Sequence, residues 1–212
     1  MKYKSLLFDW SGTLVDDLPP TLHATNEVLV SYGVPAMNQE EFRSRFRLPY
    51  PEFYDEVLPG VPIQDLEGIF RTSFKQSPVR VSVLPHAREM LAWCRENEVR
   101  CFILSSMDVG LFTAQAHDFE LHHHFEAIYA GVIDKRHRIG DILLEHGLEP
   151  AKTAFVGDMV HDIETAHHGG VDSIAVATGY DPVARLSGIG PSHLFDHLGH
   201  FREWLEQSVC SS

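Results

Sequence analysis

Short apolar runs alternate with helical patterns along most of the chain, and this alternation limits the folds that the chain can adopt. The apolar runs predict five strands, at residues 5–9, 99–104, 127–130, 153–156 and 173–177. Most of these runs are continuous rather than alternating in polarity, which is typical of parallel strands buried on both faces. Helices are predicted between the strands at residues 85–97, 139–146 and 162–168. Repeated strand-then-helix units predict an α/β fold with a doubly wound parallel sheet.

The alternation stops between residues 17 and 83, where helical patterns follow one another without a convincing strand. One predicted helix ends at Gly33, and Asn38 followed three residues later by Glu41 predicts the start of a second. A third helix is marked by the spacing of Leu66, Ile69, Phe70 and Phe74. We therefore predict a small all-helical cap, residues 17–83, inserted after the first strand of an α/β core formed by residues 1–16 and 84–212.

Composition limits the partners of this protein. A length of 212 residues suits a core domain with a small insert. The formal net charge of -13 disfavours binding to nucleic acid or to a membrane surface, because both require clustered Lys and Arg. Cys94, Cys101 and Cys210 are too few and too widely spaced for a disulfide framework, which favours the reducing cytoplasm. We expect a cytoplasmic monomer or homodimer that acts on a small molecule.

Polar residues directly follow three of the predicted strands. Asp9 begins a glycine turn after the first strand, Ser105 follows the second, and Asp158 follows the fourth. In an open α/β sheet the carboxyl ends of the strands meet at one edge, so we expect these side chains to converge. An Asp before a Gly-Thr turn is a weak signal when taken alone, because Asp, Ser and Gly form turns for local reasons.

Asp158 and Asp162 place two carboxylates four residues apart near Asp9. Magnesium prefers oxygen ligands in an octahedral arrangement, so these three side chains form a candidate magnesium site. Asp162 taken alone is equally well explained as a cap of the following helix. Lys135, between Ser105 and Asp158 in the chain, is a candidate for neutralising charge between Asp9 and a phosphoryl group.

The ordered set Asp9, Ser105, Lys135 and Asp158, with a helical insert after its first member, resembles the phosphoglycolate-phosphatase-like branch of the haloacid dehalogenase superfamily. The resemblance covers nearly the whole chain and implies a Rossmann-type core. It implies magnesium-dependent removal of phosphate from a small phosphorylated metabolite, through an aspartyl-phosphate on Asp9. The roles that it implies are catalysis by Asp9, Ser11 and Lys135; substrate binding by Thr13, Ser105 and Ser106; and metal binding by Asp9, Asp158, Asp162 and the backbone carbonyl of Ser11.

Ser11 stands where most phosphatases of that superfamily carry a second Asp, which serves as general acid and base. A serine hydroxyl is not an acid near neutral pH, and losing such catalysis costs about 10²- to 10⁴-fold in rate. The leaving group of the substrate could need little protonation, as in an acyl phosphate. Alternatively, a neighbouring acid such as Asp16 or Asp17 substitutes, or the protein binds phosphate and turns over weakly.

Two further resemblances remain as alternatives. The Asp-Trp-small-Gly-Thr pattern resembles phosphonoacetaldehyde hydrolase, which uses a cap lysine to form a Schiff base, but Lys75, the insert's single lysine, lies late in the cap. The dehalogenase branch also lacks the second Asp, but it works without metal and gives no reason for the pair Asp158 and Asp162.

The histidines and three arginines of the predicted cap are weaker evidence for a functional site. The fourteen histidines, His161 among them, form no recognisable zinc pattern, and we expect them at the surface. Arg43, Arg45 and Arg47 are also expected to be solvated, although they could bind a substrate carboxylate.

Overall fold

Eight strands form two sheets in residues 2–210, the part of the chain that the computed structural model describes. The strands are β1 Ser5–Phe8, β2 Val15–Asp16, β3 Ser82–Val83, β4 Arg100–Leu104, β5 Ala127–Tyr129, β6 Thr153–Gly157, β7 Asp172–Val176 and β8 His193–Phe195. The main sheet has the order β5-β4-β1-β6-β7-β8, and all of its strand pairs are parallel. The predicted α/β fold with a parallel sheet is confirmed.

The register of the central strands brings their carboxyl ends level. Phe8, the last residue of β1, pairs with Ile103 of β4 on one side and with Val156 of β6 on the other. The residues that follow these strands therefore leave the sheet at the same edge. Strand β8 was not predicted, because its three half-buried residues lie at the edge of the sheet and mix polar and apolar character.

Helices cover both faces of the main sheet. They are α5 Ala87–Glu96, α6 Val109–Asp118, α7 Arg136–Glu145, α8 Val160–Gly169, α9 Val183–Gly188 and α10 Leu198–Cys210. Side chains of β1 alternate between the two faces, as the period of two in a strand requires. Leu6 and Phe8 belong to the apolar cluster that includes residues of α5, α6 and α10, whereas Leu7 belongs to the cluster that includes residues of α7 and α8.

Four helices lie between β2 and β3, namely α1 Leu18–Ser31, α2 Gln39–Arg45, α3 Tyr50–Val57 and α4 Ile63–Lys75. They share an apolar cluster that includes Val28, Phe42, Phe53 and Leu66. Helix α3 was not predicted, because prolines flank it and one lies in its first turn. The helical cluster supports our proposal of a cap at residues 17–83 on a core of residues 1–16 and 84–212.

The two chain connections to this helical region pair with each other. Val15 of β2 lies opposite Val83 of β3, and Asp16 lies opposite Ser82, in an antiparallel arrangement. Next to this pair, the Leu84 N–H donates to the Leu14 carbonyl at 3.0 Å. The segments therefore enter and leave the cap side by side.

No helix within residues 2–210 has both the length and the apolar character needed to cross a membrane. Cys94 and Cys101 are buried and form no disulfide. The side chain of Cys210 lies outside the described part of the chain.

Replacement of Asn38 by Ala should weaken the start of α2. The Asn38 side chain accepts the Glu41 N–H at 2.9 Å, as the sequence predicts for a helix cap. Loss of such a cap costs about 1 kcal/mol in the free energy of unfolding. Urea denaturation of Asn38→Ala measures this loss, and the exposed neighbour variant Gln39→Ala serves as the control. Equal stability of the two variants would contradict the capping role.

Candidate active site

Asp9 lies at the carboxyl end of β1, where the strand opens into a tight turn. Its N–H donates to the Val156 carbonyl at 2.9 Å, which continues the pairing of β1 with β6 for one more residue. Gly12 has a positive φ of 73°, and a Cβ atom at this position would collide with the Asp158 carboxylate. The glycine therefore allows the turn and the Asp158 side chain to approach each other.

Three buried carboxylates meet around one buried amine at this edge of the sheet. One oxygen from each of Asp9, Asp158 and Asp162 lies within 4.8 Å of the other two. The Lys135 Nζ atom lies 2.9 Å from Asp9 Oδ2 and 2.6 Å from Asp162 Oδ1. The sequence-predicted residues of the carboxylate and lysine motifs are thus brought together.

Burial and mutual repulsion disfavour the charged forms of two of these carboxylates. Burial is the main cause that raises the pKa of Asp158, and the neighbouring charges of Asp162 and Asp9 raise it further. The pKa of Asp162 is also raised, mainly by burial, although Lys135 opposes the shift. For Lys135, burial lowers the pKa, but the carboxylates of Asp162 and Asp9 outweigh it and hold the amine charged.

The donor set fits a divalent cation. Asp9 Oδ1 is buried and has no hydrogen-bond partner among the described residues, although buried polar atoms are normally paired. If all three carboxylates were ionised, the cluster with its one ammonium would carry two excess negative charges, which a divalent cation would balance. Carboxylate oxygens are also the ligands that hard cations prefer.

Asp162 also has a local structural role. Its Oδ2 atom accepts the N–H groups of Asp158 and Met159 at 3.1 and 3.0 Å, at the start of α8. The Asp162 side chain therefore does both things that the sequence allows: it caps the start of α8, and it belongs to the cluster around Lys135. Because Lys135 and the two N–H groups occupy both of its oxygens, Asp162 is less available to a metal than Asp9.

Ser11 contacts Asp17, which is buried. Asp17 is one of the two neighbouring acids, with Asp16, that the sequence offers as substitutes for the missing second Asp. Its hydroxyl donates to Asp17 Oδ2 at 2.6 Å, and the Tyr180 hydroxyl donates to Asp17 Oδ1 at 2.9 Å. Burial raises the pKa of Asp17 to about 7, although these two hydrogen bonds oppose the shift. Asp17 and Ser11 both line the cavity above Asp9, whereas Asp16 lies in β2 and does not line it.

The predicted substrate-binding residues differ in their access to this cavity. Ser106 lines it together with Asp9. Ser105 is buried outside the lining, and its hydroxyl accepts the Met107 N–H at 3.3 Å. Thr13 is also buried outside the lining and donates to Asp158 Oδ1 at 2.7 Å. Their roles in binding substrate remain predictions.

The segment after β7 holds the site together, and the sequence assigned it no chemistry. The Tyr180 N–H donates to Asp158 Oδ2 at 2.8 Å, and the Thr178 hydroxyl donates to the Gly12 carbonyl at 2.6 Å. A Cβ atom at Gly179 would collide with the Asp158 carboxylate. Thr178, Gly179 and Tyr180 follow Val176, the last residue of β7, and carry no sequence pattern that points to this role.

His161 corrects the expectation that the histidines lie at the surface. It is only 2% exposed, and its Nε2 atom accepts the Lys135 N–H at 3.2 Å. Burial and the nearby Lys135 charge lower the pKa of His161 to about 3, so that the imidazole is neutral. The side chain therefore positions the backbone of the residue that carries the buried amine.

Arg43, Arg45 and Arg47 do not line the cavity above Asp9. Arg43 Nε donates to the Tyr180 carbonyl at 3.0 Å. Arg45 and Arg47 both bind the Glu56 carboxylate, at 3.1 and 2.6 Å. These three side chains are committed to contacts elsewhere in the structure.

Comparison with known proteins identifies the class to which this fold and site belong. Residues 6–176 match the model of the haloacid dehalogenase-like hydrolases, and the chain belongs to that family. The phosphoglycolate phosphatase of Synechococcus elongatus is 23% identical over 197 residues, which cover 91% of this chain and 92% of that protein. Phosphoglycolate phosphatase 1 of Pseudomonas aeruginosa is 23% identical over 207 residues, covering 91% and 76% of the two chains.

Solved structures share the whole fold. A haloacid dehalogenase-like hydrolase from Streptococcus pneumoniae has a TM-score of 0.84 at 22% identity and covers 96% of this chain and 99% of its own. A Haemophilus somnus protein described as a predicted phosphoglycolate phosphatase has a TM-score of 0.81 at 18% identity, with coverage of 97% and 99%. The arrangement of core and helical region is therefore that of known members of the family.

Replacement of Lys135 by Met should destabilise the protein strongly when a chelator is present. The variant leaves the buried carboxylates of Asp9 and Asp162 without their ammonium partner, and breaking a buried ion pair in this way costs about 3–5 kcal/mol. Lys152→Met removes a solvated lysine that pairs with Glu149, and little change is expected there. Denaturant unfolding of both variants measures the difference. Equal effects would mean that the buried ion pairs contribute nothing.

Proposed function

We propose that this protein is a magnesium-dependent phosphatase that removes phosphate from a small phosphorylated metabolite through an aspartyl-phosphate on Asp9. The observation that carries the proposal is the Asp9 carboxylate, which borders the cavity, contacts Lys135 through Oδ2 and leaves Oδ1 unpartnered. The names of the relatives from Synechococcus elongatus and Pseudomonas aeruginosa, both phosphoglycolate phosphatases, support phosphatase activity.

The reaction has two steps. A carboxylate oxygen of Asp9 attacks phosphorus, the bond from phosphorus to the leaving oxygen breaks, and that oxygen departs with the electron pair. A water molecule then attacks the phosphorus of the aspartyl-phosphate, which regenerates Asp9 and releases inorganic phosphate. The Lys135 ammonium lowers the repulsion between the carboxylate and the phosphoryl group in both steps.

Magnesium would be held by Asp9, Asp158 and the backbone carbonyl of Ser11, with Asp162 contributing through water. The contacts support Asp9 as a ligand, because its Oδ1 atom has no hydrogen-bond partner. Asp158 and Asp162 each accept hydrogen bonds on both oxygens, so the different roles proposed for these two carboxylates rest on the family resemblance. When bound, the cation would neutralise charge on the phosphoryl oxygens. The Thr13 hydroxyl and the Tyr180 N–H fix the orientation of the Asp158 carboxylate.

The Schiff-base alternative receives no support from the position of Lys75. Lys75 is exposed at the end of α4 and does not line the cavity. A weakly active phosphate-binding protein remains the second candidate, because the Ser11 hydroxyl cannot replace a carboxylic acid. Location in the cytoplasm and a monomeric or homodimeric state remain predictions from the composition.

Asp9→Asn should abolish magnesium-dependent phosphate release. The amide is no nucleophile, so we expect a loss of at least about 10³-fold in kcat with acetyl phosphate. Asp16→Asn, which changes a nearby acid outside the cavity, should retain activity. The measurement is phosphate release with magnesium and with a chelator, together with trapping of the phosphorylated enzyme. Full activity of Asp9→Asn would contradict the mechanism, and undetectable turnover by the wild type would favour the binding protein.

Restoring an acid at position 11 should require a second change at position 17. In Ser11→Asp the new carboxylate meets the buried Asp17 carboxylate, whereas in Ser11→Asp/Asp17→Asn it meets an amide donor. We expect the double variant to hydrolyse an alkyl phosphate about 10²-fold faster than the wild type, and the single variant to gain less.

The comparison of substrates isolates the role of the leaving group. Acetyl phosphate needs little protonation of its leaving oxygen, so its hydrolysis should accelerate less than that of the alkyl phosphate. The single variant Asp17→Asn is the control, because it shows the effect of losing the Asp17 carboxyl without a new acid at position 11. An equal acceleration of both substrates, or equal rates for the single and double variants, would contradict the explanation.

A further inference from the structure

The cavity above Asp9 has a mainly apolar wall. Its volume is about 330 Å³, which lies within the range of small-molecule sites. The helical region contributes Leu48, Ile63 and Phe70, and the core contributes Met107, Val109 and Ile133. The phosphoryl-binding end is polar, whereas most of the wall beyond it is apolar and is interrupted by a few polar side chains, among them Tyr50, Tyr54 and Arg71.

Part of this apolar wall is exposed to solvent. Val109 is 57% exposed and Ile133 is 43% exposed, although both belong to the lining of the cavity. Exposed apolar side chains that are grouped at a concave surface mark binding sites, because covering them removes apolar area from water. An apolar ligand in the cavity would provide this cover.

The charged residues of the cavity disfavour a second anionic group on the ligand. Among the described residues that line it, Arg71 is the only Lys or Arg. Its guanidinium lies 3.7 Å from Asp108 Oδ2 and 4.0 Å from Glu67 Oε2, and both of these acids also line the cavity. Two carboxylates thus accompany one guanidinium, so a substrate carboxylate would have to compete with Asp108 and Glu67 for it.

We propose that the natural substrate is a phosphate monoester or acyl phosphate whose organic part is uncharged and apolar or aromatic. A short carboxylated substrate such as phosphoglycolate would leave the apolar wall uncovered, and its carboxylate would compete with Asp108 and Glu67 for Arg71. The inference rests on the proposed function, since it requires the phosphoryl group to bind at Asp9. It adds the chemical class of the remainder of the molecule.

Binding of phosphonates tests this inference without requiring turnover. Calorimetric titration with magnesium present compares methylphosphonate, 2-phenylethylphosphonate and phosphonoacetate. We expect 2-phenylethylphosphonate to bind at least about tenfold more tightly than either of the others, because its tail buries apolar area. Phosphonoacetate binding as tightly as the phenylethyl compound, or no binding of any phosphonate, would overturn the inference.

A matched pair of variants tests whether the preference for 2-phenylethylphosphonate over phosphonoacetate arises in the cavity. Val109→Lys introduces a cation at an exposed position of the lining, and it should lower the preference for the phenylethyl compound at least about threefold by strengthening phosphonoacetate binding. Thr113→Lys adds the same charge one turn later in α6, outside the lining, and should leave the preference unchanged. Equal effects of the two variants would contradict the proposed location.

Hydrolysis of acetyl phosphate separates this inference from the proposed function. Turnover of acetyl phosphate with no gain in affinity for the apolar phosphonate would leave the phosphatase proposal standing and refute the substrate class. Absence of turnover with a clear preference for the apolar phosphonate would refute the phosphatase proposal and support the ligand class.

Discussion

The site depends on one buried ammonium group held between two carboxylates. Lys135 joins Asp9 at the end of β1 to Asp162 at the start of α8, so that three separate segments meet at a single charge. A buried lysine stays charged only when its partners replace the lost hydration. The same contacts leave Asp9 with one free oxygen and fix its orientation. The reactivity that we propose for Asp9 would therefore depend on the ion pair as much as on the aspartate itself.

The main features of the sheet and its polar edge could be predicted from the sequence. Continuous apolar runs indicated buried parallel strands, and the residues directly after them were expected at one edge because parallel strands share their direction. For this reason Asp9 and Asp158 were correctly expected to lie together, whereas Lys135 was added to them because of its place in the order of the motifs. Each of these residues taken alone is a weak indication of a site, and their order along the chain is what makes the prediction specific.

The remaining contacts arise from tertiary packing and leave no local pattern. Asp17 is a turn residue in the sequence, and only the fold places it between Ser11 and the Tyr180 hydroxyl. Nothing in the sequence around His161 distinguishes it from the exposed histidines, but its position in the first turn of α8 buries it against Lys135. The apolar cavity wall likewise combines residues from distant segments. Such features depend on which surfaces meet rather than on spacing.

The pairing of β2 with β3 has a mechanical consequence for the helical region. Two separate connections would allow the cap to slide and to turn about several axes, whereas two hydrogen-bonded strands act as one short ribbon. These hydrogen bonds join the two connections to each other, so one connection cannot slide past the other without breaking them. Any movement of the helical region relative to the core therefore has to carry both connections together.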